Sequence, residues 1–176
     1  MKQIHLSAPL IATDTQNLRA GDRVLLSGEI YTARDAAHKR FCTCLAENTP
    51  LPISLTGQIL YYVGPTPAKP GQVIGSAGPT TSYRMDPYAP TLIRECGLRG
   101  MIGKGSRSPE VIAVMKEYGA VYFAAVGGAA ALLSKSITAS EIIAYEDLGA
   151  EAVRKLTLHA MPLIVAVDSA GNSLYT

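Results

Sequence analysis

The stretch from Gly100 to Ala125, GMIGKGSRSPEVIAVMKEYGAVYFAA, decides the fold class. Gly100-Met101-Ile102-Gly103 is a short apolar run and reads as a strand. Ser108-Pro109-Glu110 opens a helix, with Ser as the capping residue and Pro at the first helical position. Val111, Ile112, Val114 and Met115 lie within that helix, which runs to Tyr118 and ends at Gly119. Ala120 to Val126 is a second strand. Strand, helix and strand in that order predict parallel pairing beneath covering helices.

The flanks extend this pattern. Asp86 to Cys96 reads as a helix with Pro87 in its first turn and Gly97 closing it. Ile59 to Val63 (ILYYV) and Asp22 to Ser27 (DRVLLS) read as strands. Residues Gly64 to Gly71 hold three prolines in six positions and form an extended loop. Asp35 to Glu47 is a charged helical stretch that Thr32 is placed to cap. Further on, Gly127 to Lys135 reads as a small-residue helix, Glu151 to Leu156 as another helix, and Leu163 to Asp168 (LIVAVD) as a buried strand. A turn over Asp168–Asn172 precedes the C-terminal Ser173-Leu174-Tyr175. Residues 1–20 read as an N-terminal arm or edge strand. The expected fold is α/β, a mixed or parallel sheet with helices, the strand-rich first third forming a second β layer.

Composition narrows the function. The 176 residues suit one domain, 1–176. Only 17% are charged, against ~25% in typical domains, which suggests a face covered by a partner. The small-residue segment Gly127-Gly128-Ala129-Ala130-Ala131 suits either such an interface or close packing on the chain's own sheet. A net charge of +2 argues against non-specific nucleic-acid binding. Three cysteines cannot all pair, which fits a reducing compartment. Cys42, Cys44 and Cys96 read either as small buried thiols or as ligands of an iron–sulfur cluster. Apolar stretches too short for a membrane span, and an N-terminus without a signal pattern, predict a cytoplasmic protein.

Familiar motifs fail on inspection. Gly103-Lys104-Gly105-Ser106 has Gly where a P-loop needs Ser or Thr, and Ser108 occupies the last glycine position of a dinucleotide fingerprint. His5, His38 and His159 have no metal-ligand spacing, and His38 is expected to face solvent. What remains are three segments with polar or cationic residues just after apolar runs: Tyr31–His38, Gly78–Asp86 and Gly103–Ser108. Between Thr80 and Arg107 stand five cations (Arg84, Arg94, Arg99, Lys104 and Arg107) and two acids. Arg94 and Arg99 read as surface charges, and Arg34–Asp35 as a helix-end ion pair. Placed together at one sheet boundary, the three segments make an anion site, suited to a carboxylate in an arginine fork.

The runs SGEIYTARDAAHKR, GPTTSYRMDPYAP, GLRGMIGKGS and AVYFAAVGGAAALLSKSI strongly resemble the class I fumarase and L-tartrate dehydratase family, from about Gly21 to Tyr175. The likeness is to the β subunit, or equally the C-terminal domain of single-chain forms. It implies the swivelling β/β/α domain and a hydro-lyase converting fumarate to L-malate or dehydrating L-tartrate. It also implies a [4Fe-4S] cluster held by an α subunit, acting on the leaving hydroxyl through its open iron, and a heteromer built around a homodimer. Matching motif by motif, the substrate-binding residues fall on Arg34, Arg84 and Lys104, and the proposed catalytic base on Thr80. No metal ligand is expected on this chain. A non-catalytic dicarboxylate-binding module is the reading from a different class.

Overall fold

A computed structural model describes residues 3–125 and 130–175. Along the chain lie β1 (Gln3–Ala8), α1 (Ala12–Gln16), β2 (Arg23–Thr32), α2 (Asp35–Ala46), β3 (Ile59–Tyr61), a 3-10 turn (Ser82–Met85) and α3 (Ala89–Cys96). Then follow β4 (Gly100–Gly103), α4 (Pro109–Tyr118), β5 (Val121–Ala125), α5 (Ala130–Lys135), β6 (Ile137–Ala144), a second 3-10 stretch (Glu146–Glu151) and β7 (Val153–Val167).

All seven strands join one mixed sheet in the order β1-β2-β3-β4-β5-β7-β6. Strands β1 to β5 run parallel to their neighbours, while β7 is antiparallel to β5, β6 and β2. Because β7 pairs with both β5 and β2, five strands close into a barrel-like ring. The β2–β7 ladder shifts register between Leu26 and Gly28. Gly28 takes φ 105°, and a Cβ there would lie 2.5 Å from the Ala8 carbonyl oxygen. Only glycine fits that bend.

Alternation along the strands sorts the core into two layers. Leu60, Met101 and Tyr122 share one row across β3, β4 and β5, and Tyr61, Ile102 and Phe123 the next. The second row packs inside the ring with Val24, Leu26, Ile30, Leu156 and Leu163. The first faces outward, under Phe41 of α2, Leu92 and Ile93 of α3, and Val111, Val114 and Met115 of α4. Each such side chain contributes about 1.5–3 kcal/mol on full burial.

The central reading holds: β4, α4 and β5 fall where expected, Ser108 Oγ accepts from Val111 N–H, and Gly119 closes α4 at φ 75°. Residues 1–20 supply an edge strand, β1, followed by α1. Four expectations change. The first third does not form a second β layer, because β1 and β2 extend the same sheet through parallel pairing. Glu151–Leu156 is no helix. Its apolar spacing imitates one, but Val153 onward pairs with β6 and β2, and tertiary pairing overrides local preference. The helix expected from Asp86 starts at Ala89, with Pro90 in its first turn rather than Pro87, because Asp86 is engaged elsewhere. Thr32 does not cap α2, as its hydroxyl donates to the Ala152 carbonyl and accepts from Arg154 N–H. Residues 126–129, carrying most of the small-residue segment, lie outside the described residues.

Candidate functional site

The carboxyl ends of β2, β3 and β4 lie side by side, and there the three polar segments meet. Beyond the ends of the strands the ladder continues through single bonds. Ala33 N–H donates to Tyr61 O at 3.1 Å, and Tyr62 N–H to Ile102 O at 2.9 Å. Thr80 N–H donates to Tyr62 O at 2.7 Å, and its carbonyl accepts from Lys104 N–H at 3.3 Å. Thr81 and Lys104 form a parallel bridge, and Ser82 N–H donates to Lys104 O at 2.9 Å. Thr80 is thus pinned on both sides of its peptide, between the extensions of β3 and β4. In parallel α/β sheets this end of the strands is where ligands bind.

Arg34 is the N-cap residue of α2, immediately after β2. It approaches Glu151 at 4.0 Å. A Cβ at Gly64 would lie 2.6 Å from Arg34 Nη1 and 3.1 Å from its Cδ, so glycine leaves the space the guanidinium uses. Arg84 sits on the 3-10 turn, and its Nε donates to Asp35 Oδ2 at 3.0 Å. The expected Arg34–Asp35 ion pair is therefore replaced: Asp35 takes Arg84 instead. Lys104 is exposed and Thr80 half-buried. Among the described residues, no hydrogen bond or ion pair occupies the Nη groups of Arg34 or Arg84, the Lys104 ammonium or the Thr80 hydroxyl. The four residues singled out by sequence thus come together as three cations and a hydroxyl with free donors.

Beneath them lies a buried polar floor. Arg107 is fully covered, and its Nε donates to Asp86 Oδ1 at 2.7 Å and its Nη2 to Tyr62 OH at 3.2 Å. Its guanidinium stacks over Tyr62 and Tyr122 at 5.2 and 4.9 Å. Asp86 Oδ2 also accepts from Ser108 N–H. Burial alone would favour neutral Arg107, but Tyr62 and Asp86 outweigh it and hold the guanidinium charged. Tyr122 OH donates to Gly105 O at 2.8 Å and so accepts from Ser82 Oγ at 2.8 Å. Arg107 is a structural cation, outside the free set.

His38 corrects an expectation. It is buried, not solvent-facing, because α2 packs it against Tyr62, Tyr88 and Phe41. Its Nδ1 bonds the Arg34 carbonyl at 2.8 Å. A carbonyl only accepts, so Nδ1 carries the proton and Nε2 keeps a lone pair. Burial pulls the imidazole pKa down from 6.5 to about 4, with Arg107 adding to the effect; the bond to Arg34 and the charge of Asp35 oppose it. The i, i+4 spacing from Arg34 was the available signal for this contact. Asp35–Arg84 spans 49 residues and had no local signal.

The thiols do not make a cluster seat. Cys42 and Cys44 are two apart on α2, which turns them to opposite sides. Burial, with Glu95 nearby, pushes the Cys42 and Cys96 thiols up, away from the thiolate a metal needs. Cys44 Sγ instead meets Tyr145 OH at 4.0 Å. Among the described residues, no three His, Cys, Asp or Glu converge as metal ligands, and no helix is long and apolar enough to cross a membrane.

Comparison with known proteins places the chain in a family. Residues 1–176 match the family model described as Fumarase C-terminus. The chain is 41% identical over 171 residues to a Methanocaldococcus jannaschii protein provisionally named L(+)-tartrate dehydratase subunit beta, covering 94% of this chain and 88% of that protein. It is 33% identical over 176 residues to the aerobic class I fumarate hydratase of Escherichia coli (strain K12), covering 98% of this chain and 32% of that one. Fumarate hydratase 2 of Leishmania major is 33% identical over 186 residues, with 99% and 33% covered. The chain spans about a third of the length of these fumarate hydratases. With the family model matched from end to end, the chain belongs to the fumarase C-terminus family.

Proposed function

We propose that this chain is the β subunit of a hydro-lyase that reversibly hydrates fumarate to L-malate, active only with an α subunit. The observation that carries this reading is the convergence of Arg34, Arg84, Lys104 and Thr80, all with free donors, at the carboxyl ends of three adjacent parallel strands. A dicarboxylate needs cations at its carboxylates, and an arginine fork supplies two parallel charged hydrogen bonds. The [4Fe-4S] cluster of the family belongs, on this reading, to the α subunit, since the thiols here do not fit one. The barrel corresponds to the swivelling domain, and the heteromer is built around a dimer in the cytoplasm.

This chain's share of the chemistry is binding and proton transfer. In the dehydration direction, a proton leaves the carbon next to one carboxylate and hydroxide leaves its neighbour, giving fumarate and water. Negative charge builds on the first carboxylate, and Arg34, Arg84 and Lys104 stabilise it. Thr80 Oγ takes the proton, either as an oxygen whose pKa the cations lower or as a relay to an acid of the α subunit. The Thr80 peptide, bonded on both sides, fixes the backbone from which that oxygen projects.

A second reading is favoured by one observation: the 41% identical relative, matched over 88% of its length, is named a tartrate dehydratase subunit beta. Tartrate adds one hydroxyl to the same skeleton. The test is co-expression with the α chain, reconstitution with iron and sulfide, and paired kinetics on malate and tartrate. Turnover should require both chains. Thr80→Ala should lower kcat by roughly 10²–10⁴-fold with KM much less changed, and Thr80→Ser should recover part. Arg84→Lys keeps charge but loses the fork, and should cost roughly 30- to 150-fold in kcat/KM. Activity of the isolated chain refutes the split site. Tight fumarate binding by the isolated chain, without turnover in the complex, supports a binding module instead.

A further inference from the structure

The first turn of α2 concentrates unsatisfied polar atoms. Arg34 Nε, Asp35 Oδ1 and His38 Nε2 are each buried without a hydrogen-bond partner, all within five consecutive residues. Buried polar atoms are paired in more than about nine cases of ten, so three such atoms in one turn mark it as a place where polar groups are held for something other than packing. Within it, Asp35 holds one committed contact, Oδ2 accepting from Arg84 Nε at 3.0 Å.

We infer that Asp35 is the positioning residue that sets the Arg84 guanidinium for carboxylate binding, an inference that rests on the function proposed above. A guanidinium offers two separate approaches: the Nε edge, and the fork made by its two Nη groups. Asp35 occupies the first and leaves the second free, so an anion can be bound without displacing Asp35. The support is needed because Arg84 is a flexible side chain, 40% exposed, on a single 3-10 turn. Asp35 is its only ion-pair partner among the described residues. Asp35 is itself the first residue of α2, where the positive end of the helix favours a carboxylate. It also follows Arg34 directly in the chain. Holding Arg84 through Asp35 therefore ties both substrate arginines to one helix end and fixes the span between them, which a dicarboxylate of one length can match.

The test separates positioning from charge and from folding. With ¹⁵N-labelled arginine in the full chain, the Arg84 Nε–H resonance is assigned by its loss in Arg84→Lys. It should be protected from exchange in the wild type, lost in Asp35→Ala and retained in Asp35→Asn, whose amide oxygen still accepts. In the assembled enzyme, Asp35→Ala should lower kcat/KM about 10- to 100-fold, mainly by raising KM. Asp35→Asn should stay within about fivefold of wild type. In an Arg84→Ala background, Asp35→Ala should add less than about twofold. A protected Nε–H in Asp35→Ala, or a full additive loss in the Arg84→Ala background, overturns the inference. If the assembled wild type turns over neither malate nor tartrate, the proposed function fails, and the Nε–H resonance still decides what holds Arg84.

Discussion

His38 makes the stability of this fold depend on pH in a direction the structure specifies. The imidazole is fully buried among Phe41, Tyr62 and Tyr88, with Arg107 close enough to oppose a second positive charge. The folded chain therefore keeps it neutral to about pH 4, whereas the unfolded chain protonates near 6.5. Below 6.5 the unfolded state binds the extra proton and is favoured. Above 6.5 the contribution is fully present; it is lost as pH falls toward 4. Linkage through those two values gives a loss of about 2 kcal/mol between pH 7 and pH 5.

Urea unfolding of the wild type and His38→Gln at intervals from pH 7 to pH 5 measures this. That window lies above the range in which ordinary carboxylates titrate. His38→Gln should be less stable at pH 7, because the ring's packing and its bond to the Arg34 carbonyl are lost. The gap should close by about 2 kcal/mol on going to pH 5, because only the wild type carries the titrating group. Parallel curves for the two proteins, or a gap that widens in acid, would refute the assignment of a neutral, buried His38.

Two further outcomes follow from the site. Gly64→Ala should leave the unfolding free energy from urea titration within about 0.5 kcal/mol of wild type, since the added methyl chiefly meets the Arg34 side chain, 2.6 Å from Nη1 and 3.1 Å from Cδ, which can shift. It should nonetheless raise KM about tenfold by moving that guanidinium, as steady-state kinetics of the assembled enzyme would report. Asp86→Asn should cost about 3–5 kcal/mol in urea unfolding, because it leaves the fully buried Arg107 without its counter-charge.

The parts of the fold legible in the sequence are those where local chemistry and tertiary demand agree. Ser108 with Pro109 starts α4, and Gly97 and Gly119 stop two helices in the left-handed conformation, as their residue types require. The strands β3, β4 and β5 were visible because buried parallel strands are continuously apolar. The reading failed where long-range pairing decides. Strand β7 spans fifteen residues and serves three neighbours, and its polar first half carries no strand pattern of its own. Ring closure through β2 and β7 is invisible for the same reason. So is the burial of His38, which looks like one more polar residue in a charged helix until β3 brings Tyr62 against it.

The site shows the same division on a smaller scale. The segments that carry Arg34, Thr80, Arg84 and Lys104 were legible as polar and cationic residues after apolar runs, and the resemblance to the fumarase and tartrate dehydratase family singled out the four residues within them. The groups that hold them were not, because each acts across the fold. Asp86 reaches Arg107 over 21 residues and Asp35 reaches Arg84 over 49. The supports form a connected floor. Asp86 ties the end of the Arg84 turn to Ser108 and Arg107, while Ser82 ties its beginning through Tyr122 to Gly105. The segment bearing Arg84 is thereby bonded to the loop bearing Lys104 at both ends, and Thr80 is bonded to the same loop through its carbonyl. The buried floor fixes the backbones, and the three site cations stay free of competing acids except at the Nε edges of Arg84 and Arg34. A ligand carboxylate then meets donors borne on backbones already in place, and that part of the ordering cost has been met in folding rather than at binding.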